Sequence, residues 1–580
     1  MRCLTLRREP YWRLAFKGCG ASSLQATPTS TFQAETHLRN KCPVAPAKQA
    51  PEVDRPETTA LSLVRNDESG ETQATVAELK QQFAGAAREI ESLACAHAGD
   101  FKSFEQKLVQ AAWALARVAL ALFFAHRHQR CVVPARLERA GRTFRPAPAQ
   151  ARNLNTFFGV VRYWRTYLRE VAEGERRGLY PLDEELGLTG DRMSFGLLAV
   201  AARLALKLSF AEARSTLGLF VPSPPSTEVI EQTVLGLGRH TAAWFESAPA
   251  PSGDGDALVI QIDGKGAPTA TDSELARRRG KRKKQPKRCT KRCQRHRGRA
   301  QRGRYGEKPR RQKGDKSKNA KMATMVVMYT LRRGENGERH GPINVWRYAS
   351  FAPKRHAFAV AQREVNKRGF GPDSGKLVQL VTDGDNDLAC YAKEFLPHAL
   401  HSIDVMHVIE KLWSAGEALY REGSRECTEW AEDRKDELYA GKADAIVALL
   451  KRRLDQTPRT GPGNKGKRQR LHDVMRYIEK RLDRLRYDRL IAEDLELGSG
   501  AVEGAVKNII GKRCDHGGMR WIKERVEALV QLRCIEANCD FDRFAEFAHR
   551  RIQAQALSDA IICRIQSSEP AALPTFGVAA

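Results

Sequence analysis

The chain has 580 residues, 42% of them hydrophobic, enough for three or four domains at roughly 150 residues each. Lys+Arg 98 against Asp+Glu 69 leaves a net charge of +29, which points to a polyanionic partner, nucleic acid first. The 13 Cys are odd in number and scattered, which excludes a secreted disulfide framework and suggests a reducing compartment.

The N-terminus, MRCLTLRREPYWRLAFKGCG, lacks the continuous apolar core of a signal peptide. Residues 1–75 mix Pro, Ser, Thr and charge without a period and predict a disordered arm. Residues 76–130 carry a helical pattern. The most apolar stretch, 111–125, is interrupted by Arg117 and is too short to span a bilayer, so it predicts a core-facing helix and no membrane partner. Residues 131–250 form a basic N-terminal region. Its segment TFFGVVRYWRTYLR fits either a strand pair or the start of a basic helix. Within it, 196–238 reads as helix, short helix, a Pro-rich break, then a helix capped by Ser226: a helix-turn-helix outline that three packed helices without a DNA role share.

From 251 the period changes. ALVIQID (257–263), 322–331 and 343–351 read as strands, with Asn336-Gly337 as a hairpin turn between the last two. A helix, the strand KLVQLVTD, a second helix, the short strand HALHSID and a third helix follow, predicting a mixed sheet flanked by helices over 251–407. Residues 408–495 carry helical patterns alone. Residues 496–545 hold a small-residue helix and a last long helix, and 546–580 read as a tail.

Three acidic segments stand out. QLVTDGDND places Asp383, Asp385 and Asp387 at alternate positions, with Glu394 twelfth from Asp383, as in a calcium loop. However, the sixth position is Leu388 where such a loop needs Gly, and a strand precedes it. Asp-Gly after an apolar run is also an ordinary turn, with Asp387 as a helix cap. A second buried strand ends in Asp263-Gly264. Carboxylates at the C-terminal tips of neighbouring strands converge on the crevice where sheet proteins bind ligands. Glu503, in a helix that Ser499 is placed to cap, is the third candidate. Its bland alternative is a surface pair with Lys507. Three such carboxylates suit a pair of hard cations that act on a phosphodiester.

These motifs carry a resemblance. IDGKG, TDGDND and GSGAVEG resemble the three acidic motifs of bacterial insertion-sequence DDE transposases with an RNase H-like core. GMRWIKERVEALVQLRC is similar to the element after the Glu motif in the ISKra-type group, relatives of the Mutator-like transposases. SIDVMHVIEKLW resembles their Asp-x-x-His motif, here Asp404 and His407. YPLDEELGL (180–188) and the helix-turn-helix outline resemble the group's N-terminal half, so the likeness covers roughly 178–545. It implies an α/β RNase H-like core with a mixed five-stranded sheet, interrupted by an all-α insertion and preceded by a mostly α-helical DNA-binding region. It also implies a catalytic triad of Asp263, Asp383 and Glu503 binding two Mg²⁺, with Mn²⁺ able to substitute. The partners implied are the element's terminal inverted repeats, target DNA and further copies of the chain, and the location is the bacterial cytoplasm at the nucleoid. Asp404, His407 and Trp521 are expected near the site, Trp521 either stacking on an unpaired base or sitting in the core. The paired Cys that members carry before the PLDE motif are missing here.

The segment after IDGKG is unusually basic. Residues 277–318 hold 22 Lys/Arg against Glu307 and Asp315, or +20 of the chain's +29. So dense a block predicts a disordered arm that binds phosphate backbone without sequence preference, through Arg277, Arg278, Arg279, Lys281, Arg282, Lys283 and Lys284, with Arg520 adding a contact elsewhere. Cys289, Cys293 and His296 lie inside it, without the fourth ligand a zinc site needs.

Overall fold

The computed structural model describes residues 74–139, 141–171, 178–271, 320–515 and 519–561, all within one compact unit, Gln73–Ala580. The arm at 1–73, the whole basic segment 277–318 and residues 562–580 lie outside the described residues.

Helices α1 (Val76–Ala96) and α2 (Phe101–Arg130) open the structure. Thr75 and Glu78 form a capping box at α1, and Asp100 caps α2. Strands β1 (Leu137–Arg139), β2 (Arg142–Thr156), β3 (Gly159–Glu170) and β4 (Gly178–Leu179) follow as an antiparallel meander in that order. The region before residue 250 therefore contains a sheet, and the strand-pair alternative for TFFGVVRYWRTYLR is the correct one. The reason is alternation: Val161 and Tyr163 point inward with Leu154, against Leu79, Ala121 and Phe124 of the two helices. Phe124 stacks on Tyr163 with ring centroids 4.2 Å apart.

Helix α2 has 30 residues, twice the apolar stretch read from the sequence, and among the described residues it is the one helix long and apolar enough to cross a membrane. The shortness argument against a span therefore fails. What ties α2 to the rest is its stripe Ala114, Val118, Ala121 and Phe124, together with Arg117, which donates to the Phe158 carbonyl at 2.9 Å.

A short helix α3 (Pro181–Glu185) precedes α4 (Phe195–Lys207), α5 (Phe210–Leu217), α6 (Thr227–Gly238) and α7 (Thr241–Ser247). The α4–α6 trio lies where the sequence placed it, and Ser226 caps α6 by accepting from Val229 N–H at 3.2 Å.

The second sheet is built from β5 (Ala257–Pro268), β6 (Ala320–Arg333), β7 (Arg339–Ser350), β8 (Leu377–Thr382) and β9 (Leu400–Ile403), in the order β7-β6-β5-β8-β9. The first three pair antiparallel, and β5, β8 and β9 run parallel. Helix α8 (Lys354–Lys367) connects β7 to β8, and α9 (Asn386–Phe395) connects β8 to β9. After β9 come α10 (Val405–Leu419), α11 (Arg425–Tyr439), α12 (Ala443–Gln456), α13 (Asn464–Glu479) and α14 (Tyr487–Ala492), with no strand among them. Helix α15 (Gly500–Ala505) passes through a π-helical stretch (Val506–Gly511) into the single turn α16 (Lys512–Cys514). α17 (Lys523–Ala537) and α18 (Phe541–Ile561) close the chain, so the expected tail at 546 begins as helix. One apolar core joins the five-stranded sheet, the helices after it and α4–α7.

Candidate active site

Three neighbouring strands carry an aspartate at one level, within β5 and just past the last residues of β8 and β9. β5 pairs β8 up to Ile262↔Thr382, and β8 pairs β9 up to Thr382↔Ile403. Asp263, Asp383 and Asp404 are the next residues, so one row of the sheet carries all three. Beyond that row β8 stops while β5 continues along β6 to Pro268, and the C-terminal edge of a sheet at such a point is where sheet proteins bind ligands. Asp263 and Asp383 are half-buried, and Asp404 is 1% exposed.

Glu503 comes from α15. Side chains alternate along a strand, so Gln261 shares a face with Asp263, and Gln379 with Asp383. Gln261 Nε2 donates to the Gly498 carbonyl (3.2 Å), and its Oε1 accepts from Val502 N–H (3.0 Å). Gln379 holds both backbone groups of Glu496, at 2.6 and 3.1 Å. The segment carrying Glu503 therefore lies on the face that presents the aspartates. Ser499 does not cap α15 as the sequence suggested. Its hydroxyl sits between Asp404 Oδ2 and Glu503 Oε1, the latter at 3.1 Å.

The tightest group differs from the expected triad. Ligand atoms of Asp404, His407 and Glu503 lie within 4.8 Å of one another. Asp404 uses Oδ1 to cap α10, accepting from Met406 N–H at 2.8 Å, which places His407 one turn along the same helix. Burial pushes the Asp263 carboxyl above its usual range. The Gly264 N–H at 2.6 Å opposes this, the Asp383 charge adds to the rise, and His407 and Asp404 exert weaker pulls of opposite sign. Asp263 thus shares its electrostatic surroundings with every member of the row.

The loop after Asp383 is held from the helical region. Arg481 donates to the Gly384 carbonyl at 3.0 and 2.6 Å and to Asn386 Oδ1 at 3.2 Å, and its guanidinium lies 4.1 Å from the Tyr477 ring centroid. Asp385, rather than Asp387, caps α9, accepting from Asp387 N–H at 3.0 Å, and it also pairs with Lys354. Burial alone would raise the Asp385 carboxyl, but the Lys354 hydrogen bond and the Asp387 N–H hold it below its ordinary range. Asp385 is thus structural, Asp387 lends its backbone N–H and has an exposed side chain, and the calcium-loop pattern is a strand, a turn and a helix cap.

Among the described residues, no Lys or Arg comes within 4.0 Å of Asp263, Asp383, Asp404 or Glu503 as an ion pair. Asp404, His407 and Glu503, with Asp263 and Asp383 alongside and Arg481 as the cation whose charge reaches Asp383, offer a donor set that fits a hard divalent cation such as Mg²⁺ or Mn²⁺.

Trp521 is not available for stacking. It is 8% exposed, its Nε1 donates to the Cys514 carbonyl at 3.1 Å, and its backbone bridges Thr269. Arg513 lies 5.0 Å from its ring centroid. Arg520 is exposed, whereas Arg277, Arg278, Arg279, Lys281, Arg282, Lys283 and Lys284 lie outside the described residues. Helix α6 packs against α4 and α17, and its exposed N-terminal positions are Thr227, Glu228 and Gln232. It has the outline of a recognition helix but offers a phosphate no cation before Arg239.

Sequence reasoning passed over Gln261, Gln379, Arg481 and Tyr477. The glutamines were visible as single polar residues inside the apolar runs ALVIQID and KLVQLV. No family model matches the chain, and no curated protein matches it.

Proposed function

We propose that the protein is a DDE transposase of the insertion-sequence kind, with an RNase H-like core that cleaves DNA strands and joins them to new positions. The observation that carries this reading is the row of Asp263, Asp383 and Asp404 across three parallel strands, with Glu503 held beside Asp404 through Ser499. The strand order, three antiparallel followed by two parallel, supports the RNase H-like reading, and the helices between β9 and α15 support an insertion ahead of the catalytic Glu.

Asp263, Asp383 and Glu503 would hold two Mg²⁺ ions, with Asp404 and His407 beside them. When bound, such ions lower the pKa of the attacking hydroxyl and neutralise charge building on the phosphate. The rest falls to the chain. Asp404, buried and tied to Ser499, keeps Glu503 turned toward the aspartates. His407, half-exposed at the rim, presents an imidazole N–H to a phosphate oxygen or a flanking base. Arg481 fixes the Gly384 carbonyl and with it the direction of Asp383. Water attacks the phosphodiester in cleavage and a DNA 3′-hydroxyl attacks in joining. The displaced 3′-oxygen departs in line, so no covalent enzyme intermediate forms. The 277–318 segment would supply nonspecific backbone binding.

The test is incubation of the full chain with Mg²⁺ and DNA carrying the element's ends, read on denaturing gels. Joined products are expected. Cleavage without joining would make the protein a nuclease on the same core, and binding without cleavage would make it a non-catalytic DNA-binding protein.

A further inference from the structure

We infer that Gln261 is a positioning residue that sets the height of Glu503 over the aspartate row, an inference that rests on the metal-dependent reading above. A helix needs its first N–H groups satisfied, and the residue at the cap normally does this with its own side chain. Ser499 occupies that place at α15 and makes no such bond, because its hydroxyl is engaged with Asp404 and Glu503. The cap comes instead from a strand more than 230 residues earlier: Gln261 Oε1 accepts from Val502 N–H at 3.0 Å. The same amide donates to the Gly498 carbonyl at 3.2 Å and to the Tyr329 hydroxyl at 3.0 Å, so it grips the chain on both sides of Ser499.

A buried amide is costly unless its hydrogen bonds are made, and Gln261 is 1% exposed. All three of its bonds run to fixed groups, so what it adds over an apolar side chain is register. Gln261 lies two residues before Asp263 on one extended strand. A single rigid segment therefore presents Asp263 and, through the amide, fixes the first turn of the helix that presents Glu503. Borrowing the cap also releases the Ser499 hydroxyl, which then couples Glu503 to Asp404. Gln379 repeats the device one strand over, on Glu496, farther from the carboxylates.

The experiment measures Mn²⁺ binding to the full chain by calorimetry, for Gln261→Met, Glu503→Gln and the double variant, with circular dichroism as the check on folding. Loss of a group that orients a metal ligand costs roughly 10–100-fold in affinity, and that loss is expected for Gln261→Met. Because Gln261 acts through Glu503, the double variant is expected to bind no more weakly than Glu503→Gln alone. Wild-type affinity in Gln261→Met overturns the inference, as does a double variant whose loss is the product of the two single losses. If Gln261→Met does not fold, Gln261→Asn retains an amide but falls one methylene short of Val502. The same loss is then expected, and unchanged affinity overturns the inference. Should Glu503→Gln itself bind Mn²⁺ normally, the metal-dependent reading fails and takes this inference with it. A weakened Glu503→Gln beside an unaffected Gln261→Met refutes the positioning role alone.

Discussion

The protein has two carboxylate centres, each around one buried aspartate, Asp183 or Asp404, and built on opposite plans. At the four-stranded sheet, Asp183 receives Arg152 at 2.8 Å, Arg165 and the Tyr163 hydroxyl at 2.6 Å, while its neighbours Glu184 and Glu185 pair with Arg139 and Arg127. Every acid of the PLDEE helix meets a cation from a neighbouring element. At the five-stranded sheet, Asp404, His407 and Glu503 form the tight group, Asp263 and Asp383 lie beside Asp404 along the strand row but outside that group, and none of the four carboxylates pairs with a Lys or Arg among the described residues. Buried charge is costly unless it is compensated. The first centre is complete within the chain and acts as a clamp. The second has no such ion-pair partners among the described residues, which is why it is proposed as a site.

This contrast can be broken at several points, and the largest effect is expected in catalysis. Asp263→Ala, Asp383→Ala and Glu503→Ala should each lower strand cleavage by roughly 10²–10³-fold or more, with DNA binding retained in a gel-shift assay. Strand transfer at the wild-type rate by any of them would remove that residue from the triad. Gly384→Ala should lower cleavage by up to about 10²-fold. The added Cβ would lie 2.2 Å from the Tyr477 hydroxyl, so either the Tyr477 ring or the loop bearing Asp383 must shift, and single-turnover rates would show it if the loop moves.

On the stability side the two centres should respond with opposite signs. Asp183→Asn leaves two buried guanidiniums facing a neutral group and should cost about 3–5 kcal/mol in chemical denaturation, with Mn²⁺ binding unchanged. Asp263→Asn should instead raise the melting temperature of metal-free protein at neutral pH, by on the order of 2 °C. The Asp263 carboxyl titrates higher in the folded chain than in the unfolded one, so the folded state holds that proton more tightly. Its stabilising contribution is present below the unfolded value and is lost as pH rises through the folded one. Asparagine never ionises and is spared that loss. A wild-type melting temperature that ignores pH across the carboxylate range would contradict this.

How much of this was legible in the sequence depended on where each signal lived. The five-stranded sheet was readable because ALVIQID, KLVQLVTD and HALHSID end apolar runs in Asp, and the strand tips place those residues side by side. The third of them, Asp404, gave the same signal as the other two, and the structure puts it in the row and in the tightest cluster. The N-terminal sheet was half hidden, because its strands carry Arg142, Arg152 and Arg165 where apolar residues would advertise a core. Those arginines pair with Glu170 and Asp183 rather than with solvent. The cap on α15 was out of reach of any local reading, since Ser499 satisfies every sequence rule for the position and the donor's partner is Gln261. Trp521 looked free beside Gly517 and Gly518, but its ring fills the space between Phe210 and Arg513.

The π-helical turn after α15 bears on how ions would be received. Its looser winding leaves carbonyls of Asn508 and Ile509 facing outward, and Arg533 of α17 takes both, at 2.6 and 2.7 Å. The Glu503 segment is thus pinned at its leading end by a strand amide and at its trailing end by a guanidinium. Holding the backbone at both ends leaves less conformational freedom at the Glu503 segment to be lost if an ion were bound there.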